Sequence, residues 1–174
     1  MMNQHIGEVV FNADQIKVGV SQVAEQLNKK FGHDNVVIIT VVPGGILFTA
    51  DLVRQLNFDV SMDYISCPHT PGERNNASAI VYHQNINITD RHVVLVDDAI
   101  ESGGTMKRIV EFLAQNYTTK SISVATLFVK PGRVNIPIDQ HFTYEMENDD
   151  LLVGYGLPWN DKYRNMPFIS QLIK

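Results

Sequence analysis

The sequence predicts an α/β fold: a central, mostly parallel sheet flanked by helices, with a small hood built from the terminal segments. Three observations predict it. Short β-branched apolar runs at Asn35 to Val42 and at His92 to Val96 have the length and composition of strands buried on both faces. Segments with helical spacing alternate with such runs, and no internal repeat or low-complexity linker interrupts them. The second run leads directly into Asp97-Asp98 and then Ser102-Gly103-Gly104-Thr105, at the strand end where open α/β sheets bind ligands. With 174 residues, 44% of them hydrophobic, the chain suits one domain over residues 1–174 with a sizeable core.

Taken in order, Asn12 or Asp14 caps a helix that carries Ile16, Val20, Val23, Ala24 and Leu27 on one side, and Gly32 ends it. Asn35 to Val42 is a buried strand, Pro43-Gly44-Gly45 a turn, Ile46 to Leu56 a second helix and Val60 to Cys67 a further strand. Pro68 to Ser78, PHTPGERNNAS, cannot hold regular structure, because prolines, a glycine and paired asparagines punctuate it. Strands are expected at Ala79 to His83, His92 to Val96 and Ser121 to Val129, with a helix from Thr105 to Gln115. Four parallel strands joined by helices would bury both sheet faces, and short strands near Phe142 and Val153 would complete the hood.

Composition excludes several classes of function. A net charge of −5 with scattered Lys and Arg leaves no footprint for nucleic acid. Cys67, the single cysteine, cannot form an internal disulfide, which fits a reducing cytoplasm. The first twenty residues carry polar and acidic groups where a signal peptide needs an apolar core, and no apolar run is long enough to span a membrane. The six histidines are dispersed without metal-binding spacing, so structural zinc is not expected.

The chemistry concentrates in His92 to Ile109, HVVLVDDAIESGGTMKRI. Small residues let backbone approach a phosphate, and a helix opening at that point directs N–H groups and a positive dipole end at the anion. A phosphate beside two carboxylates suggests a sugar phosphate whose hydroxyls the carboxylates grip, with a divalent cation nearby. Neither a Walker A loop nor a dinucleotide fingerprint is present. Between two expected strands, the 68–78 segment is long for a hairpin connection and reads as a lid, with His69, Thr70 and Arg74 as its candidate contacts to a phosphate.

This stretch resembles the phosphoribosyl pyrophosphate signature of the type I phosphoribosyltransferases. Val42-Pro43-Gly44-Gly45 with Phe48 to Leu52, Leu127-Phe128-Val129-Lys130, and Leu152 to Asn160 with Lys162-Tyr163-Arg164-Asn165 narrow the resemblance to the hypoxanthine-guanine phosphoribosyltransferases. These segments occur in family order, and the likeness covers roughly residues 8–172. It implies transfer of a phosphoribosyl group from phosphoribosyl pyrophosphate to hypoxanthine or guanine, with Mg2+ as cofactor, and a homodimer or homotetramer in the cytoplasm.

By the same resemblance, Asp97 and Asp98 would hold the ribose hydroxyls and magnesium. Glu101, Ser102, Gly103, Gly104 and Thr105 would form the 5'-phosphate loop, with Glu101 also the general base for the purine N7 proton. Pro43, Gly44, Gly45 and Arg164 would face pyrophosphate, Gly44 and Gly45 through their backbone N–H groups. Ile100, Lys130, Leu151 and Leu152 would surround the purine. Lys130 would donate to the 6-oxygen, and the Leu152 carbonyl would accept from the ring N1–H. An ammonium offers only donors, so it suits a 6-oxopurine and opposes the 6-amino group of adenine.

Five departures from the family pattern stand out. Glu101 replaces aspartate, Pro43 a basic residue, Pro158 a magnesium-holding aspartate, Leu151 a stacking aromatic, and His69-Thr70 a Ser-Tyr pair. These departures leave two other readings: a nucleotide-sensing regulator on the same fold, and a phosphoribosyltransferase for another base such as xanthine or a pyrimidine.

Overall fold

The structure is a computed structural model that describes residues 5–68 and 77–173. Chain order is β1 (Ile6–Phe11), α1 (Ala13–Phe31), β2 (Asn35–Val42), α2 (Ile46–Val53), β3 (Asp59–Ser66), β4 (His92–Val96), β5 (Ala99–Ile100), α3 (Gly104–Asn116), β6 (Ser121–Ala125), β7 (Phe128–Val129), β8 (Asp139–His141), β9 (Tyr144–Glu145), β10 (Leu152–Val153) and β11 (Ile169–Leu172).

The central sheet has the order β3-β2-β4-β6-β8, and every pairing in it is parallel. Side chains alternate across β2, so one run of apolar residues fills two cores. Val36 and Ile38 face α1 and α2, where Val20, Val23, Leu27, Phe48 and Leu52 are buried. Val37 and Ile39 face α3, through Met106, Ile109 and Leu113. Full burial of each such side chain contributes about 1.5–3 kcal/mol. Both β2 and β4 match their expected limits. Capping of α1 falls to Asn12, whose side chain accepts from the Gln15 N–H while Gln15 bonds back to the Asn12 N–H.

Several expected elements are corrected. The sheet has five parallel strands instead of four, and among the described residues the β3–β4 and β6–β8 connections contain no helix. Helix α2 stops at Val53 because the Gln55 and Leu56 N–H groups bond back only three residues, to Leu52 and Val53. Residues 79–83 do not form a strand. Val81 alone bridges to Ser66, and just beyond it the Asp63 carboxylate holds the N–H groups of Asn85 and Ile86 at a bend.

The expected strand Ser121 to Val129 divides in two. After its last bond to β8, from the Thr126 N–H to the His141 carbonyl, the chain leaves the central sheet as the Leu127 N–H turns to the Asp98 carbonyl. Strand β7 then joins a second parallel sheet, β5-β7-β9. The hood is an antiparallel sheet of order β1-β11-β10, in which β11 lies between β1 and the Leu152 segment. Among the described residues no helix is long and apolar enough to cross a membrane.

Candidate active site

Strand β4 ends at Val96 and delivers Asp97 and Asp98 to the carboxyl edge of the sheet. The turn is held by the backbone. The Asp97 N–H donates to the Ala125 carbonyl at 3.1 Å, and the Asp98 N–H donates to its neighbour's Oδ1 at 2.8 Å. Asp98 Oδ1 also accepts from the Ala99 N–H at 2.7 Å.

Burial first, then the charge of Asp98, holds the Asp97 carboxyl well above the ordinary carboxylate range. Burial likewise pushes Asp98 up, to about 6, with Glu101 adding to the rise and with Asp97, the Ala99 N–H and Arg164 opposing it. Two adjacent acids, Asp98 buried and Asp97 partly so, therefore stand with too little positive charge to satisfy them. Such a pair is a receptor for hydroxyl donors or a cation.

Beyond Glu101 the chain turns at Gly103, whose φ of +84° is left-handed, and α3 begins at Gly104. The Val134 N–H bonds to the Ser102 carbonyl at 2.8 Å, so the loop rests on the 131–138 segment. The first turn of α3, with Thr105 in it, presents the helix N-terminus to the same space as the acids.

On the opposite wall, the Val42–Pro43 peptide is cis and Pro43-Gly44 faces the acids. Gly45 does not serve as the sequence implied. Its N–H is already bonded to the Val41 carbonyl at 2.8 Å. A Cβ there would lie 2.7 Å from the Val96 carbonyl, so Gly45 is required for close packing behind the loop.

The carboxyl-terminal loop interlocks with this wall. Gly156 has a φ of +103°, and a Cβ on it would meet the Gly44 carbonyl oxygen at 2.1 Å. Arg164 donates to the Gly156 carbonyl at 2.6 Å and receives the Gly156 N–H on its own carbonyl at 2.8 Å. The Tyr155 hydroxyl donates to Asp51 Oδ2 at 2.5 Å, tying the same loop to α2. Burial, then the bond to Asp51, pushes the Tyr155 hydroxyl above its ordinary range, so it stays a donor.

These walls enclose a cavity of about 340 Å³. Of the sequence-predicted residues, Pro43, Gly44, Asp97, Asp98, Ile100, Glu101, Ser102, Gly103, Thr105 and Arg164 line it. Gly45 and Gly104 lie outside its lining, as do Lys130, Leu151 and Leu152. His69, Thr70 and Arg74 fall outside the described residues. Asp161, passed over in the sequence, also lines the cavity. Its signal was position alone, an acid inside the carboxyl-terminal motif.

Lys130 follows β7 and is 1% exposed. Its N–H bonds to the Ile100 carbonyl at 2.9 Å, so the β5–β7 pairing sets it alongside Glu101. Its Nζ donates to Glu101 Oε2 at 3.0 Å and to the Asp150 carbonyl at 2.6 Å. It does not reach solvent. The Leu151 carbonyl accepts the Leu172 N–H at 2.8 Å. Backbone alternation then turns the Leu152 carbonyl to the open side of β10, the edge strand of the hood.

Comparison with known proteins places this architecture. A family model for the phosphoribosyl transferase domain matches residues 8–156. The hypoxanthine-guanine phosphoribosyltransferase of Streptococcus pneumoniae is 30% identical over 175 residues, covering 99% of this chain and 96% of the relative. That of Staphylococcus aureus is 28% identical over 173 residues, covering 98% and 96%. A crystal structure of the hypoxanthine-guanine phosphoribosyltransferase of Bacillus anthracis superposes with a TM-score of 0.87 at 30% identity, covering 98% of this chain and 99% of that one.

Proposed function

The chain belongs to the phosphoribosyl transferase family, and from that premise we propose that it transfers the 5-phosphoribosyl group of phosphoribosyl pyrophosphate to hypoxanthine or guanine. The products would be IMP or GMP and pyrophosphate, a purine-salvage reaction. One observation carries the choice of base: Lys130 Nζ and Glu101 Oε2 stand 3.0 Å apart, a donor beside an acceptor. A 6-oxopurine presents its 6-oxygen and N7 side by side on one edge. The ammonium therefore suits the oxygen, while the carboxylate suits the proton on N7.

The chain's residues divide the remaining work. Asp97 and Asp98 take the ribose hydroxyls, and the turn from Ser102 to Thr105 with the α3 N-terminus takes the 5'-phosphate. Arg164, fixed by Gly156, faces the pyrophosphate beside the Gly44 backbone. As purine N9 bonds to the anomeric carbon and the bond to pyrophosphate breaks, Glu101 receives the N7 proton. General-base help of this type is worth about 10² to 10⁴ in rate.

The site fits magnesium. Its donors are hard carboxylate oxygens, and among the described residues no three acidic, histidine or cysteine side chains form a closed cage. Asp97 and Asp98 would hold an ion that completes its shell with substrate oxygens. When bound, magnesium supplies positive charge to the pyrophosphate and ribose oxygens.

The test is direct. The protein is incubated with phosphoribosyl pyrophosphate, magnesium and each of hypoxanthine, guanine, xanthine, adenine and uracil, and nucleotide formation is followed. Turnover of hypoxanthine and guanine without adenine is expected. Tight nucleotide binding without turnover of any base would instead indicate a sensor. We also propose a homodimer or homotetramer, to be read by sedimentation.

A further inference from the structure

Lys130 ends a flexible four-carbon stem, yet base recognition needs its Nζ at one point. Two acceptors fix it. One is Glu101; the other is the Asp150 carbonyl at 2.6 Å, in the segment just before β10. That carbonyl is only as well placed as the segment that carries it. The Asp150 N–H donates to the Asn148 side chain at 3.2 Å, a bond local to the segment. The Leu172 N–H holds the next carbonyl, Leu151, and the side chain of Asp150 is itself tied to β11, where Gln171 Nε2 donates to Asp150 Oδ2 at 2.8 Å. Gln171 is the β11 residue paired with Leu152, so it bonds the segment beside the ladder that positions the Leu152 carbonyl.

A competitor stands close by. Asp149 Oδ1 is 3.7 Å from Lys130 Nζ, on an exposed side chain. Were the Asp150 carbonyl to drift, the ammonium would keep a favourable partner by turning toward Asp149, with its third proton no longer aimed at a base.

We propose that Gln171 is a positioning residue for base recognition: its amide anchors Asp150, whose carbonyl locks Lys130 with one donor left for the 6-oxygen of the purine. This rests on the reading of Lys130 given above. It makes the end of the chain part of base selection, although Gln171 lies outside the lining of the cavity.

The experiment is steady-state kinetics on the full-length chain. Gln171→Leu preserves bulk and removes the donor. Asp150→Asn keeps both the carbonyl and an acceptor for Gln171. Gln171→Leu is expected to raise KM for hypoxanthine about tenfold, as loss of one anchored hydrogen bond would, and to narrow the preference for hypoxanthine over adenine. KM for phosphoribosyl pyrophosphate and the melting temperature should hold, and Asp150→Asn should retain a low hypoxanthine KM.

If Gln171→Leu leaves the hypoxanthine KM unmoved, or changes both KM values alike, or lowers the melting temperature together with kcat, the proposal is overturned. Wild-type protein is assayed first. Its failure to turn over any 6-oxopurine would sink the functional reading itself, and this proposal with it. Wild-type turnover with an insensitive Gln171→Leu variant would sink the positioning role alone.

Discussion

Replacing Asp98 with Asn should stabilise the ligand-free protein at neutral pH while destroying its site. The carboxyl of Asp98 is 8% exposed, and burial with Glu101 nearby raises it from 3.8 to about 6. A group that is easier to protonate in the folded state binds more protons there than in the unfolded chain. Stability therefore falls as pH rises from about 4 to about 6 and stays low above that. A rise of this size corresponds to on the order of 3 kcal/mol lost at pH 8. Asn keeps the shape and the acceptor for the Ala99 N–H but cannot ionise, and its neutrality also relieves Asp97, which Asp98 pushes upward.

For a chain of this length the gain amounts to roughly 6–12 °C in melting temperature at pH 8. The difference should shrink toward zero at pH 4, where both carboxyls are protonated in the native state. Thermal unfolding of wild type and Asp98→Asn at the two pH values reads this directly. An equal difference at both, or destabilisation at pH 8, would refute the claim that the acids are held against their own charge.

Two further substitutions probe separate parts of the site. Glu101→Gln should lower the single-turnover rate by about 10² to 10⁴ while nucleotide affinity stays near wild type, since the amide oxygen can still accept from Lys130 but cannot take the N7 proton; an unchanged rate removes Glu101 from the base role. Gly156→Ala places a Cβ 2.1 Å from the Gly44 carbonyl at a φ of +103°, so it should cost about 1–3 kcal/mol or more of stability and loosen Arg164, measurable as a lower denaturation midpoint with weaker pyrophosphate inhibition.

Much of this architecture was legible because local chemistry and tertiary context agree. The β-branched runs of β2 and β4 are buried on both faces, and the acids follow β4 as an open sheet edge requires. Where the sequence misled, long-range partners decided. Nothing in Ser121 to Val129 breaks a strand, yet the Asp98 carbonyl draws Leu127 out of the central sheet just after Thr126 makes the last bond to β8. Gly45 looked like a donor to an anion, but only the fold shows that its N–H belongs to Val41. Glu101 and Lys130 gave no local sign of pairing; two-residue strands, too short for periodicity to reveal, bring them together.

The charge of the cavity wall decides how phosphoribosyl pyrophosphate can enter. Among the described residues its lining carries the carboxylates of Asp97, Asp98, Glu101 and Asp161 against one guanidinium, Arg164. Lys130, behind Glu101, already faces Glu101 and Asp149. Pro43 adds no charge where the family has a basic residue. A polyanion approaching this wall meets more repulsion than attraction, so it should bind as its magnesium complex. One unit charge neutralised about 4 Å from a carboxylate near a protein surface is worth on the order of 4 kcal/mol, more than two powers of ten in affinity. Calorimetry with phosphoribosyl pyrophosphate should therefore show binding at least 100-fold weaker in EDTA than in millimolar magnesium. Pro43→Lys should recover part of that loss in EDTA by restoring a cation to the opposite wall. Affinity equal within threefold in the two buffers would show that the protein's own groups, and not the metal, balance the charge of the substrate.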